Sequence, residues 1–164
     1  MKKKTYILML SKVFPVTHPR AGQPTGFKEK KEKGIKKHTL RMNVELWEHR
    51  AEEINAGRAI LSIRQWSGTP YEEGSHQIEI ARLEKLGVQR VTFSYCHYKK
   101  GDIYLPQLVE VGSGMYHPKV IEMEQVAAND GLSLDDFKYW FGRKGKSRPK
   151  DLHGIILHFT DFRY

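Results

Sequence analysis

The eight residues Val91-Thr92-Phe93-Ser94-Tyr95-Cys96-His97-Tyr98 alternate β-branched or aromatic side chains with smaller or polar ones, and this period of two constrains the chain more than any other segment. A strand of this kind buries one face and must be met by a second layer. Four more strands are predicted, at 6–10, 59–63, 103–111 and 155–162. Pro106 demotes the third of these to an edge or a bulged strand, because proline lacks the N–H that a ladder needs. Helical patterns are fewer and shorter. Asn43 caps a segment in which Trp47, Ala51 and Ile54 share a face, and Gly57 ends it. Pro118 suits the start of a helix running to Gly131. Ser133 and Asp136 form a capping-box-like pair opening a helix with Leu134, Phe137 and Phe141 on one face, stopped by Gly142. Phe137, Trp140 and Phe141 read as core. Strands outnumbering short helices predict an α+β fold, a small mixed β-barrel carrying a few short helices, and not a doubly wound sheet.

The chain is one domain long, 1–164, and no repeat or linker divides it. The Pro- and Gly-containing stretches 17–26 and 142–149 are predicted loops. The N-terminus, Met1-Lys2-Lys3-Lys4-Thr5-Tyr6-Ile7-Leu8-Met9-Leu10, resembles the start of a signal peptide, but its apolar run is short and Lys12 interrupts it. It reads as a first strand behind a basic leader. No run is long enough to span a bilayer, so no membrane partner is expected. A single cysteine, Cys96, excludes an intrachain disulfide and a cysteine-based zinc site, and places the chain by default in the cytoplasm.

The net charge of +9 is unevenly distributed. Residues 1–50 hold 13 Lys and Arg against 4 Asp and Glu, and the other 114 residues balance at 15 against 15. A field polarised in this way steers an anionic partner to one face, although a solubilising surface run produces the same count. Metal and cofactor sites are not expected. His38, His49, His76, His97, His117, His153 and His158 are scattered, without the spacing of a metal motif. The sequence contains no P-loop, no Gly-x-Gly-x-x-Gly turn and no Gly-x-Ser-x-Gly elbow.

Three segments, in this order, resemble the ASCH family of PUA-like domains. The first is Gly34-Ile35-Lys36-Lys37-His38-Thr39-Leu40-Arg41, which follows a basic helical turn at 27–33 and is similar to the family's Gly-x-Lys-x-x-Thr-x-Arg segment. The second is the strand Gly57-Arg58-Ala59-Ile60-Leu61-Ser62-Ile63-Arg64. The third runs from Ala127 through Asn129-Asp130-Gly131-Leu132-Ser133 to Phe141, similar to the family's late helix pair. An insert at about 65–86 sets this chain apart from the smallest family members. The resemblance implies a small β-barrel with a cleft beside the first motif, and a role in an RNA-linked process. Some family members are amidohydrolases that remove the acetyl group from N4-acetylcytidine, using a Lys, a Thr and a Glu. Lys36 and Thr39 match the first two, and the third falls on Asp130, one methylene shorter.

The residues themselves fit either use. Alternation along an extended stretch points Thr39 and Arg41 one way, and a turn at Gly34 is needed to bring Lys36 beside them. Arginine offers a fork matched to phosphate and lysine a point charge. A threonine hydroxyl becomes a nucleophile only beside a base, and a lysine serves as that base when desolvation or neighbouring cations lower its pKa. His38 is a candidate for stacking on a base or meeting a phosphate. Arg64, Gln65 and Trp66 combine edge donors and acceptors with a stacking ring, and Tyr71 and His76 are candidates to extend that surface. The leading expectation is a domain binding RNA or a modified nucleotide through Lys36, His38, Thr39, Arg41, Arg64, Gln65 and Trp66. An amidohydrolase with Lys36 as base, Thr39 as nucleophile and Asp130 as orienting carboxylate is the alternative. A protein-interaction accessory domain is the third.

Overall fold

The computed structural model describes residues 2–112 and 118–164. In chain order the elements are β1 (Lys4–Met9), α1 (Phe27–Glu32), β2 (His38–Arg41), α2 (Val44–Asn55), β3 (Ala59–Trp66), β4 (Gln77–Leu83) and β5 (Gly87–Tyr95). These are followed by β6 (Ile103–Tyr104), β7 (Pro106–Val111), β8 (Lys119–Ile121), α3 (Met123–Asn129), α4 (Leu134–Trp140), β9 (Arg143–Lys144) and β10 (Leu152–His158). The architecture is mixed α+β. Hydrogen bonding gathers the strands into sheets ordered β1-β3-β4, β2-β10-β5-β7-β8 and β6-β9. Among the described residues no sheet closes on itself, so the ladders by themselves do not make the barrel expected from the sequence. No helix among them is long and apolar enough to cross a membrane.

One core joins the two larger sheets. Leu8, Leu61 and Ile63 come from the first, and Val91, Phe93, Val109, Ile155 and Ile156 from the second. Trp47, Ala51 and Ile54 of α2 and Phe137 of α4 pack into it. The two helix starts follow the local chemistry. Asn43 Oδ1 accepts from Leu46 N at 3.3 Å, and Ser133 Oγ accepts from Asp136 N at 3.1 Å.

Three segments differ from the sequence reading, and the smallest difference is in the expected loop 142–149, whose Arg143 and Lys144 form β9 and pair with β6 through Ile103↔Lys144. Lys119-Val120-Ile121, placed in a helix starting at Pro118, is instead β8, paired with β7 through Val109↔Ile121. Two β-branched residues beside an edge strand with open backbone groups favour pairing over helix, and α3 starts later, at Met123. The insert continues β3 to Trp66 and returns as β4, whose antiparallel pairing shifts register between Ile63 and Arg64. Its role is to cover the free edge of β3. The 17–26 loop is irregular as expected, but it is pinned. His18 Nε2 lies 3.1 Å from the Asp136 carbonyl oxygen, and Arg20 donates to Asp136 Oδ2 at 2.6 Å.

Candidate functional site

The site is assembled where α1 ends, β2 begins and α3 ends. Gly34 has φ +74°, a left-handed turn that glycine adopts without Cβ strain. Through that turn the backbone N–H groups of Ile35 and Lys36 both donate to the Lys30 carbonyl, at 2.8 and 3.0 Å. The reversal turns Lys36 inward before the strand alternation of β2 starts at His38. Lys36 is 1% exposed. Its Nζ donates to the Asp130 carbonyl oxygen at 2.6 Å and to Asp130 Oδ1 at 2.9 Å, and lies 4.0 Å from the centroid of Phe27.

Asp130 is the C-cap of α3 and is 4% exposed. A carboxylate at a helix C-terminus opposes the dipole, and here cations offset it. Lys36 meets Asp130, while Lys30 Nζ donates to the Gly131 carbonyl at 2.7 Å. Gly131 has φ +82°, and a Cβ there would stand 3.3 Å from Lys36 Cβ. Glycine therefore serves both the turn and the approach of the lysine.

Thr39 and Arg41, on the same face of β2, complete the constellation. The Arg41 guanidinium donates to Thr39 Oγ1 at 3.1 Å, to the Leu40 carbonyl at 2.7 Å and to the Met9 carbonyl at 2.6 Å. Lys36, Thr39, Arg41 and Asp130 line a cavity of about 30 Å³, walled by Phe27 and Trp140. That is the share of a single water in the liquid, too small for a base. Two cations thus face one carboxylate. Burial pushes Lys36 below its ordinary pKa, with Asp130 opposing. Burial pushes Asp130 up, but Lys36 and His38 outweigh it and hold the carboxyl below the usual range. Burial also lowers Arg41, which stays protonated.

The remaining sequence candidates lie elsewhere. His38 points to the opposite face and is fully buried, with Nε2 at 2.6 Å from the Tyr164 hydroxyl and Nδ1 at 3.6 Å from Asp130 Oδ1. No face of its ring is open to a base. Arg64 donates to Ser62 Oγ at 2.8 Å and Gln77 Oε1 at 3.0 Å, Gln65 is buried, and Trp66 packs on Tyr71 at 4.9 Å. None of the three lines the cavity, and His76 faces Ser67 in the hairpin turn. The sequence reading missed Phe27, and it placed Trp140 and Phe141 in the core, where only Phe137 is fully buried. Trp140 and Phe141 are half-buried and line the cavity. A signal was present, since Trp140 falls off the 134/137/141 stripe. No cluster of metal-ligating side chains occurs among the described residues, and His117 lies outside them.

In comparisons with known proteins, no family model matches the chain, and no curated protein or solved structure matches it.

Proposed function

We propose that this chain is a PUA-like domain of the ASCH type that binds RNA or a nucleotide at the Lys36/Thr39/Arg41/Asp130 constellation. In this reading the two larger sheets, which share one core, are the halves of a small barrel. One observation carries the proposal. Lys36 and Asp130 neutralise one another, whereas Arg41 spends its hydrogen bonds on uncharged oxygens. Among the described residues no carboxylate lies within ion-pair distance of Arg41. A half-buried guanidinium that shares its nearest carboxylate with a lysine already paired to it, beside a threonine hydroxyl, is a receptor for a phosphate or a base carbonyl. The test is a titration of the isotopically labelled protein with cytidine and uridine monophosphates, followed by backbone amide shifts. Saturable shifts clustered at 36–41 and 130–132, abolished in Arg41→Gln, support the reading. No shifts at millimolar nucleotide, together with no retention of RNA at low salt, overturn it.

A second reading, deacetylation of N4-acetylcytidine or a similar acylated nucleoside, draws on the lysine. Burial lowers its pKa, which favours the neutral amine that a general base requires. Asp130 opposes this by holding the proton on Nζ, and the Thr39 hydroxyl is engaged by Arg41. Binding therefore ranks above catalysis. Release of cytidine from acetylcytidine, abolished in Lys36→Ala and in Thr39→Ala, would reverse that order.

A further inference from the structure

Outside the cavity, and sharing Leu40, Arg41, Trp140 and Phe141 with it, runs a groove of about 380 Å³. It is shallow and open to solvent, so a base can be laid against it where the enclosed cavity has room for no more than a water. Its floor is held rigidly. Trp140 packs inward on Phe14 and Phe27, with ring centroids 5.7 and 5.6 Å away, and Phe141 stacks on Phe93 at 5.0 Å. Its outer wall is made by Met42, which is 41% exposed, and Arg143. The segment beyond Arg143 is strongly cationic. Five of the eight residues 143–150 are Lys or Arg and none is acidic. All five are exposed. Lys144 pairs with Asp102 at 3.0 Å. Among the described residues Arg143, Lys146 and Lys150 have no carboxylate within ion-pair distance. In the first fifty residues five of the thirteen basic side chains, Lys3, Lys4, Arg20, Lys28 and Lys36, are paired with carboxylates, and Lys30 with carbonyls.

We propose that this groove is the base-stacking subsite for single-stranded RNA, with Trp140 as platform, Arg143 as cationic wall and the 143–150 segment holding the flanking phosphates. The inference rests on the RNA-binding reading above and moves its base platform from Trp66, which lies away from the cavity, to Trp140, which lines it. An unpaired base needs an aromatic face and its two phosphates need cations on either side, and both stand here around Arg41. An apolar peptide would use the floor but has no need of the cationic rim. A duplex would use the rim but keeps its bases stacked inside.

The experiment is fluorescence anisotropy with a labelled single-stranded RNA of mixed sequence at low salt, using the full chain and four variants. Trp140→Leu should weaken binding about tenfold or more, the scale of removing one base–aromatic stack. Trp66→Leu should leave it unchanged. The triple variant Arg143→Ala/Lys146→Ala/Lys150→Ala changes only exposed side chains, so it guards against a folding defect in Trp140→Leu. It should lower affinity and flatten the salt dependence by about 2 in log–log slope, about 0.7 for each phosphate that the protein no longer neutralises. If the native chain binds RNA and Arg41→Gln weakens it while the Trp140 and triple variants bind as the native chain does, the groove is refuted and the RNA reading stands. Equal affinity for duplex and single strand also refutes the groove. If the native chain retains no RNA, both fall.

Discussion

Replacing Lys36 by methionine keeps an unbranched side chain, one atom shorter, and removes the charge that Asp130 faces. Asp130, 4% exposed, then forfeits both the 2.9 Å hydrogen bond to its carboxylate and the 2.6 Å hydrogen bond to its carbonyl. Removing one partner of a buried pair costs about 3–5 kcal/mol, most of it the penalty of the charge left behind. At about 2–4 °C per kcal/mol for a domain of this size, Tm should fall by roughly 6–20 °C. Asp130→Asn, which strands the lysine instead, should cost a comparable amount. The double variant should be less destabilised than the sum of the two by about 2 kcal/mol, since neither change then leaves an orphan charge. Urea unfolding of the four proteins yields the cycle. A loss below about 1 kcal/mol for Lys36→Met, or additivity in the double variant, would refute the reasoning. Lys36 and Asp130 would not then be compensating each other, and Arg41 would not be left as the uncompensated cation.

Three further outcomes follow from the surroundings of the pair. Gly131→Ala should destabilise by about 1–3 kcal/mol, because φ is +82° and the new Cβ would stand 3.3 Å from Lys36 Cβ; thermal unfolding measures this. Tyr164→Phe removes the hydroxyl that meets His38 at 2.6 Å and Asn129 Nδ2 at 3.0 Å, and should cost about 1–2 kcal/mol at neutral pH. Burial raises Tyr164 to about 12, so the native chain should also lose stability as pH climbs from 10.0 towards 12, and the Phe variant should lack that slope. His158 is held down to about 3 by burial, then by His38 and Arg163. Below its ordinary 6.5 the unfolded chain takes a proton that the folded chain refuses, so stability is full above 6.5 and falls as pH drops towards 3. His158→Leu should be less stable at pH 7.5, because the 2.9 Å bond to Gln89 is gone, but flatter between about pH 6 and 4.5, the interval above the Asp130 titration.

What could be read from the chain was local. Asn43 and Ser133 announce their helices because the capping bond spans three residues, and Gly34 announces its turn because only a positive φ brings Lys36 beside Thr39. The Lys36–Asp130 contact, across 94 positions, was reached only through a resemblance. Features set by distant partners were misread. Residues 119–121 carry a helix-start proline before them and pair with β7 regardless. His38, in a basic motif, is turned by strand alternation into a buried cluster with His158 and Tyr164. The charge count pointed to the first fifty residues, yet it cannot say which lysines already have partners. Trp140 reads as core because an indole on a short helix usually is, and the rings it packs on, Phe14, His18 and Phe27, are more than a hundred positions away in the chain.

The most direct test of the central claim is the affinity of the native chain and of Arg41→Gln for single-stranded RNA across a series of salt concentrations. The account predicts that log affinity falls linearly with log salt, and that Arg41→Gln binds more weakly with a slope shallower by about 0.7, the share of one neutralised phosphate. Affinity indifferent to salt, or an Arg41→Gln protein that binds as the native chain does, would contradict it.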